Sequence, residues 1–213
     1  MSHQNRAISV AITGASGSLY GLRTVEALIA SGHDVYLMVS RAGQVVIPLE
    51  TGLQLPAPIP EAAAFLSDRF DAKQGQLRLF GEEEWTAPVA SGSNAPESMV
   101  IVPCSMGTLS ALASGASDNL IERSADVMIK ERRRLLLIAR ETPYSSIHLE
   151  NMLKLSRLGA VIMPASPGFY NRPRGVDDLV EFMVARILDH LGVDHRLGTR
   201  WGTDQSSDRE PAG

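Results

Sequence analysis

The sequence predicts an α/β fold, a three-layer sandwich with helices on both faces of a parallel central sheet. Three observations carry that prediction. Apolar, β-branched runs such as Ala7–Thr13 and Leu135–Ala139 are nearly continuous rather than alternating, as strands covered on both faces require. Strand and helix signals alternate along the chain, with no internal repeat and no domain boundary between them. The apolar runs also stop abruptly in turn chemistry, at Gly14-Ala15-Ser16-Gly17 after the first and at Pro103-Cys104-Ser105 after Met99–Val102.

Taken in order, Ala7–Thr13 is the first strand and Leu19–Ala30 the helix beyond its glycine turn. Asp34–Val39 is the second strand, ending at Ser40-Arg41, and Gln44–Glu50 predicts a helix. The proline-rich stretch Gln54–Pro60 interrupts the pattern. Glu61–Phe70 then predicts a short helix and Gln76–Phe80 a short strand. Ala87–Ala95 (APVASGSNA) is small, polar and glycine-bearing, which predicts a surface loop near a ligand. After the strand Met99–Val102 comes a small-residue helix with Gly107, Ala111, Ala113 and Gly115, and then a second helix, Asn119–Arg132. The strand Leu135–Ala139 ends at Arg140-Glu141. Ser145–Leu158 predicts an amphipathic helix, Ala160–Met163 a strand, Pro164–Pro173 a loop and Val176–Leu191 the last long helix. Residues 1–202 therefore read as one domain, with a polar, disordered tail over 203–213.

With 213 residues, 44% of them hydrophobic, the chain can bury a sizeable core. A net charge of −4 argues against a general binder of nucleic acid or anionic membranes. The arginines that do cluster suit an anionic small molecule. The single cysteine, Cys104, excludes an internal disulfide framework and a cysteine-rich zinc site. No stretch approaches the roughly 20 apolar residues of a membrane span, and the start of the chain has no long apolar run, so a cytoplasmic protein is expected. The five histidines show no metal-ligand spacing, and no catalytic metal is expected.

Two turns carry the chemistry. In an open parallel sheet, ligands bind at the carboxyl ends of the strands. Gly14-x-x-Gly17-x-x-x-Gly21 makes a strand–turn–helix unit whose helix start can bind an anion. It is not G-x-G-x-x-G, because Ser16 replaces the middle glycine, and Ser40-Arg41 replaces the acid that would hold an adenosine ribose. A hydroxyl and a cation suit a flavin's ribityl or phosphate better; a purely structural turn is the competing reading. Pro103-Cys104-Ser105-Met106-Gly107-Thr108 repeats the logic, with amides and two hydroxyls able to cradle a phosphate or donate to a flavin ring, against a plain Ser N-cap. Cys104 reads as a buried small residue rather than a nucleophile. Among the cations, Arg132-Arg133-Arg134 reads as a solvated face or subunit contact. Arg186 lies on an otherwise apolar helix face, where either a bound phosphate or an ion pair would satisfy it. Tyr170 could bond a phosphate, while Phe169 and Trp201 could line an apolar pocket.

Together, GASGSLYGLR, VSRAG, PCSMGTLSALASGASDNLIERSADVMIKERR, RETPYSSIHLENMLKLSRLGAVIMPASPGFY and VEFMVARILDHLG closely resemble the UbiX-type flavin prenyltransferases, formerly described as 3-polyprenyl-4-hydroxybenzoate carboxy-lyases and tied to ubiquinone biosynthesis. The resemblance extends to about Gly202. It implies a flavodoxin-like, Rossmann-like fold, a homo-oligomer of dodecamer type, and metal-independent transfer of a dimethylallyl group from dimethylallyl phosphate to N5 and C6 of reduced FMN. The product, prenylated FMN, would pass to a UbiD-type decarboxylase. By motif, FMN contacts fall on Gly14, Ala15, Ser16, Ser40, Ser105, Met106, Gly107, Thr108 and Arg140. Substrate contacts fall on Tyr170, Arg186, Lys130 and Arg123, with Trp201 packing from a neighbouring subunit. Glu141, Ser16, Glu50 and Lys130 are the implied catalytic groups. This chain departs from the family in having Arg134 and Ala139 where prolines are frequent, which loosens the turn constraints around Arg140. Two rivals remain: a non-enzymatic FMN carrier, and a flavin-dependent cysteine-peptide decarboxylase. The latter would need an early active-site histidine and a PXMNxxMW-like segment, whereas His33 precedes the second strand and PASPGFYNRP is not that segment.

Overall fold

The computed structural model describes residues 7–198. All six strands enter one parallel sheet: β1 (Ile8–Ile12), β2 (Val35–Val39), β3 (Leu77–Phe80), β4 (Ser98–Cys104), β5 (Arg134–Ala139) and β6 (Val161–Pro164), in the spatial order β3-β2-β1-β4-β5-β6. The helices are α1 (Ser18–Ala30), α2 (Arg41–Thr51), α3 (Ile59–Arg69), α4 (Met106–Ser114), α5 (Leu120–Lys130), α6 (Ser146–Arg157) and α7 (Val176–Leu191). This is the predicted flavodoxin-like α/β sandwich.

The continuous apolar strands are explained by their two faces. Val10, Ile12, Leu37, Val39, Val100, Val102, Leu136 and Ile138 pack into one core with α1, α3 and α7. Alternate residues Ala11, Met38, Met99, Ile101, Leu135 and Leu137 pack into a second core with α4, α5 and α6. With the side-chain period at two, a strand serving both cores has no polar face left. The chain lays β2 and β3 to one side of β1, then returns to place β4 on the other. The reversal opens a crevice at the carboxyl ends of β1 and β4.

Three elements differ from expectation. Strand β4 runs through Pro103 to Cys104 rather than stopping at Val102, and its register on β5 shifts between Ile101 and Cys104. Proline has no N–H for the ladder, so pairing lapses there and resumes one step on. Helix α2 begins at Arg41 instead of Gln44, because the Ser40 hydroxyl accepts from the Gly43 amide at 3.0 Å and caps the helix at once. Ala87–Ala95 is a surface loop only at Ser91, Ser93 and Asn94. It holds a 3-10 turn at Pro88–Ala90, and Ala87, Val89 and Ala95 are buried in the second core, small enough to fit beneath α5.

Candidate active site

Thr13, at the end of β1 and only 1% exposed, joins the two strands that border the crevice. Its hydroxyl donates to the Pro103 carbonyl at 2.7 Å and accepts from the Ser105 amide at 2.9 Å. This bridge sets where α4 begins. There Ser105 is the N-cap: its Oγ accepts from the Thr108 amide at 3.3 Å and lies 3.1 Å from Thr108 Oγ1. The first amides of a helix have no acceptor within it. With Thr108 taken by the cap, the Met106 and Gly107 amides remain at an exposed glycine, beside two hydroxyls. That donor set, at the positive end of a helix dipole, fits a phosphate or a flavin carbonyl.

At the β1–α1 turn the expectation needs correcting. The helix start read as an anion site is filled by the chain's own carboxylate. Glu50, from the end of α2, accepts from the Gly17 amide at 3.0 Å, the Ser18 amide at 2.8 Å and Ser18 Oγ at 2.6 Å. Partial burial pushes this carboxyl up, but hydrogen bonds from the Ser16 and Ser18 hydroxyls and the Ser18 and Gly17 amides outweigh it and hold it below the usual glutamate value. Gly17 sits at φ 110, a conformation a side chain would strain. A Cβ on Gly14 would meet Ala42 Cβ at 2.4 Å, so Gly14 is what lets the first turn of α2 close over this one. Ser16 and Glu50, both expected at the site, are thus brought together, while Gly14 and Ala15 form the floor beside them.

Ser40 stands next to this turn, its amide on the Ile12 carbonyl at 3.0 Å. Arg41, read with it as a flavin partner, is 81% exposed and pairs instead with Glu82 and Glu83, at 3.6 and 3.4 Å. Across the crevice, Arg140 follows β5, and its amide donates to the Cys104 carbonyl at 3.3 Å. The sheet ladder therefore holds the Arg140 backbone where the missing proline at 139 had suggested looseness. Glu141 follows, its Oε1 accepting from the Thr142 amide at 3.1 Å. Arg134 Nη1 donates to the Leu191 carbonyl at 2.7 Å and ties β5 to the end of α7.

The remaining expected residues stand apart from these two turns in one chain. Tyr170 and Arg186 line a separate cavity of about 840 Å³ beside α7, which none of Gly14–Ser16, Ser105–Thr108, Arg140 or Glu141 lines. Tyr170 packs edge-on against Phe182 at 5.7 Å. Arg186 has taken the ion-pair alternative, with Nη1 2.8 Å from Asp189, and its side chain is half exposed. Lys130 ends α5 at the opposite, amino-terminal edge of the sheet, paired with Glu131 and grouped with Arg132, Arg133 and Arg157. Arg123, nearer the start of α5, pairs with Asp126 at 3.0 Å and donates to the Ala90 carbonyl at 3.1 Å. Trp201 and the tail lie outside the described residues. Cys104 is fully buried, and desolvation pushes its thiol up to about 12, which removes it as a nucleophile. Among the described residues no group of three or more His, Cys, Asp or Glu could hold a metal ion.

Thr13 is the residue that sequence reasoning missed. Its only signal is a hydroxyl at the last position of an otherwise apolar strand, directly before a glycine turn.

Comparison with known proteins agrees with this architecture. The sequence model of the family described as Flavoprotein matches residues 1–188. The flavin prenyltransferase UbiX of Pseudomonas aeruginosa is 56% identical over 195 residues, covering 92% of this chain and 93% of that protein. The UbiX of Methanocaldococcus jannaschii is 44% identical, covering 92% and 98%. Among solved structures, a UbiX homologue crystallised with FMN and dimethylallyl pyrophosphate is 40% identical with TM-score 0.80, covering 92% of this chain and 99% of that one. A dodecameric FMN-dependent UbiX-like decarboxylase from Escherichia coli O157:H7 is 38% identical with TM-score 0.81, covering 92% and 98%. On fold, sequence identity and near-complete coverage together, the chain belongs to the flavoprotein family and, within it, to the UbiX flavin prenyltransferases.

Proposed function

We propose that this chain transfers the dimethylallyl group of dimethylallyl phosphate to N5 and C6 of reduced FMN, without a metal, making prenylated FMN for a UbiD-type decarboxylase. The observation that carries the reading is the crevice itself. One side offers the Ser105 and Thr108 hydroxyls, two open helix amides and Arg140; the other offers a Ser16–Glu50 pair. Ser105, Met106, Gly107, Thr108, Arg140 and Ser40 would hold FMN, and the donors match an anionic, hydroxyl-rich ligand. When bound, reduced FMN supplies the nucleophilic N5 and the ring carbon at which the second bond closes.

The protein's part is electrostatic and acid–base. Breaking an allylic C–O bond leaves charge on the departing phosphate; Arg140, Arg186, Lys130 and Tyr170 stabilise it, the role a metal would otherwise take. Glu141, with the released phosphate, exchanges protons during closure. Ser16 Oγ, bonded to Glu50, holds a proton beside the ring. Since Tyr170 with Arg186, and Lys130, occupy separate patches of one chain, the site is completed between copies of a dodecamer. The exposed apolar residues Ile147, Leu149 and Leu153 on α6 support such contacts. No helix among the described residues is long and apolar enough to cross a membrane, and we place the activity in the cytoplasm.

The test is anaerobic incubation with dithionite-reduced FMN and dimethylallyl phosphate, followed by the mass of the released flavin. A flavin heavier by one C5H8 unit, formed without added metal, supports the reading. FMN bound tightly and released unchanged would replace it with a carrier.

A further inference from the structure

The cavity beside α7 contains a chain of contacts that the sequence motifs do not contain. Arg186 Nη1 donates to Asp189 Oδ2 at 2.8 Å, one turn along the helix. The other oxygen of that carboxylate lies 3.2 Å from His195 Nε2. His195 stands beyond the end of α7. Gly192, in the left-handed conformation, ends the helix, and the Val193 amide returns to the Leu188 carbonyl at 3.0 Å. Val193 is buried, and the segment that follows folds back along the helix until Gly198 approaches Ala185. This places the imidazole against α7 with its side chain only 4% exposed.

The direction of the hydrogen bonds follows from the backbone. His195 Nδ1 accepts from the Leu197 amide at 3.1 Å, so the hydrogen of the neutral ring is on Nε2 and is donated to Asp189. Asp189 thus accepts from His195 on one oxygen and from Arg186 on the other. Arg186, Asp189 and His195 all line the cavity that Tyr170 lines. A guanidinium has five N–H donors, so the bond to Asp189 leaves most of the fork for an anion.

We infer that Asp189 and His195 are positioning residues that orient Arg186 to receive the phosphate of the prenyl donor. The inference rests on the prenyltransferase reading for the identity of that phosphate. A half-exposed arginine loses rotamer freedom whenever it grips an anion; one already tethered by a carboxylate has lost it beforehand. His195 in turn fixes the carboxylate and, by donating to it, weakens its competition with phosphate for the guanidinium.

The experiment compares wild type, His195→Ala, His195→Gln, Arg186→Ala and the double variant His195→Ala/Arg186→Ala. It reads KM and kcat for dimethylallyl phosphate, the affinity for inorganic phosphate by calorimetry, and FMN affinity and Tm. The expected result for His195→Ala is a rise of about five- to tenfold in KM and in the phosphate Kd, the effect of the lost bond to Asp189, with FMN affinity unchanged and Tm lowered because the Leu197 amide also loses its acceptor. Glutamine places an N–H donor where Nε2 stood and restores both to within about twofold. In the Arg186→Ala background the His195 change adds nothing, because its effect runs through the arginine. Unchanged KM and phosphate Kd in His195→Ala would overturn the inference, as would an equal effect with Arg186 absent or glutamine as poor as alanine. Should His195→Ala fold poorly, Asp189→Asn carries the same expectation in KM and phosphate affinity. If wild type makes no prenylated flavin, the functional reading fails, while the phosphate measurements still decide the relay.

Discussion

Replacing Thr13 by valine removes the hydroxyl beneath the crevice while keeping a branched side chain of similar size, so no cavity is opened. Two contacts go: the hydroxyl's bond to the Pro103 carbonyl at 2.7 Å and the Ser105 amide's bond to it at 2.9 Å. The carbonyl keeps the Thr13 amide at 3.3 Å, but the Ser105 amide is left facing a methyl group. Two lost bonds at about 0.5–1.5 kcal/mol each, with the stranded amide placing the sum toward the upper end, give about 2–3 kcal/mol. For a chain of this size that is a fall of about 5–10 °C in Tm. Because the same amide anchors the N-cap of α4, FMN affinity should weaken by about three- to tenfold, read by quenching of flavin fluorescence. Ser9→Ala is the control: Ser9 Oγ is buried in the same strand without a hydrogen-bond partner, and its removal should leave Tm unchanged or raise it. A Thr13→Val protein melting within about 1 °C of wild type, with unchanged FMN affinity, would refute the bridge as the element that holds the crevice.

Three further outcomes follow from the structure. Glu50 is held below its ordinary value of 4.5, so its contribution to stability is complete above that pH and is lost as pH falls through the folded-state value; the difference in Tm between wild type and Glu50→Gln should narrow on acidification. Cys104, buried and with its thiol pushed up to about 12, should resist a thiol reagent in the native protein at mildly alkaline pH and react once per chain after denaturation. Leu149 and Leu153, one helical turn apart and 53% and 51% exposed, should tolerate change to glutamate without loss of helical circular dichroism, yet the double variant should elute as a smaller species in gel filtration.

Much of this architecture was written locally. Continuous apolar runs marked β1, β2, β4 and β5 because a strand between two helical layers has no face for polar side chains. The serine caps at Ser40, Ser105 and Ser145 act within three residues, and Val176–Leu191 begins and ends where its pattern and the glycine after it predict. Boundaries failed where a nonlocal partner decided them, as at Pro103, where β5 sets the register, and at Ala87–Ala95, which the second core takes in.

The candidate site divides the same way. Residue types and spacing pointed to the turn after β4 and to Arg140-Glu141, since a strand's end and a helix's start are both local features. The sequence by itself determined a parallel α/β sheet and pointed to a binding edge with anion-binding groups at the start of α4. Only the tertiary structure decided that Glu50, 33 residues away, fills the first helix start, that Thr13 reaches 92 residues to hold the second, and that Tyr170, Arg186 and Lys130 stand apart from both. The physical reason is that these contacts join atoms brought close by packing of the sheet and its helices, and sequence spacing has no term for that distance.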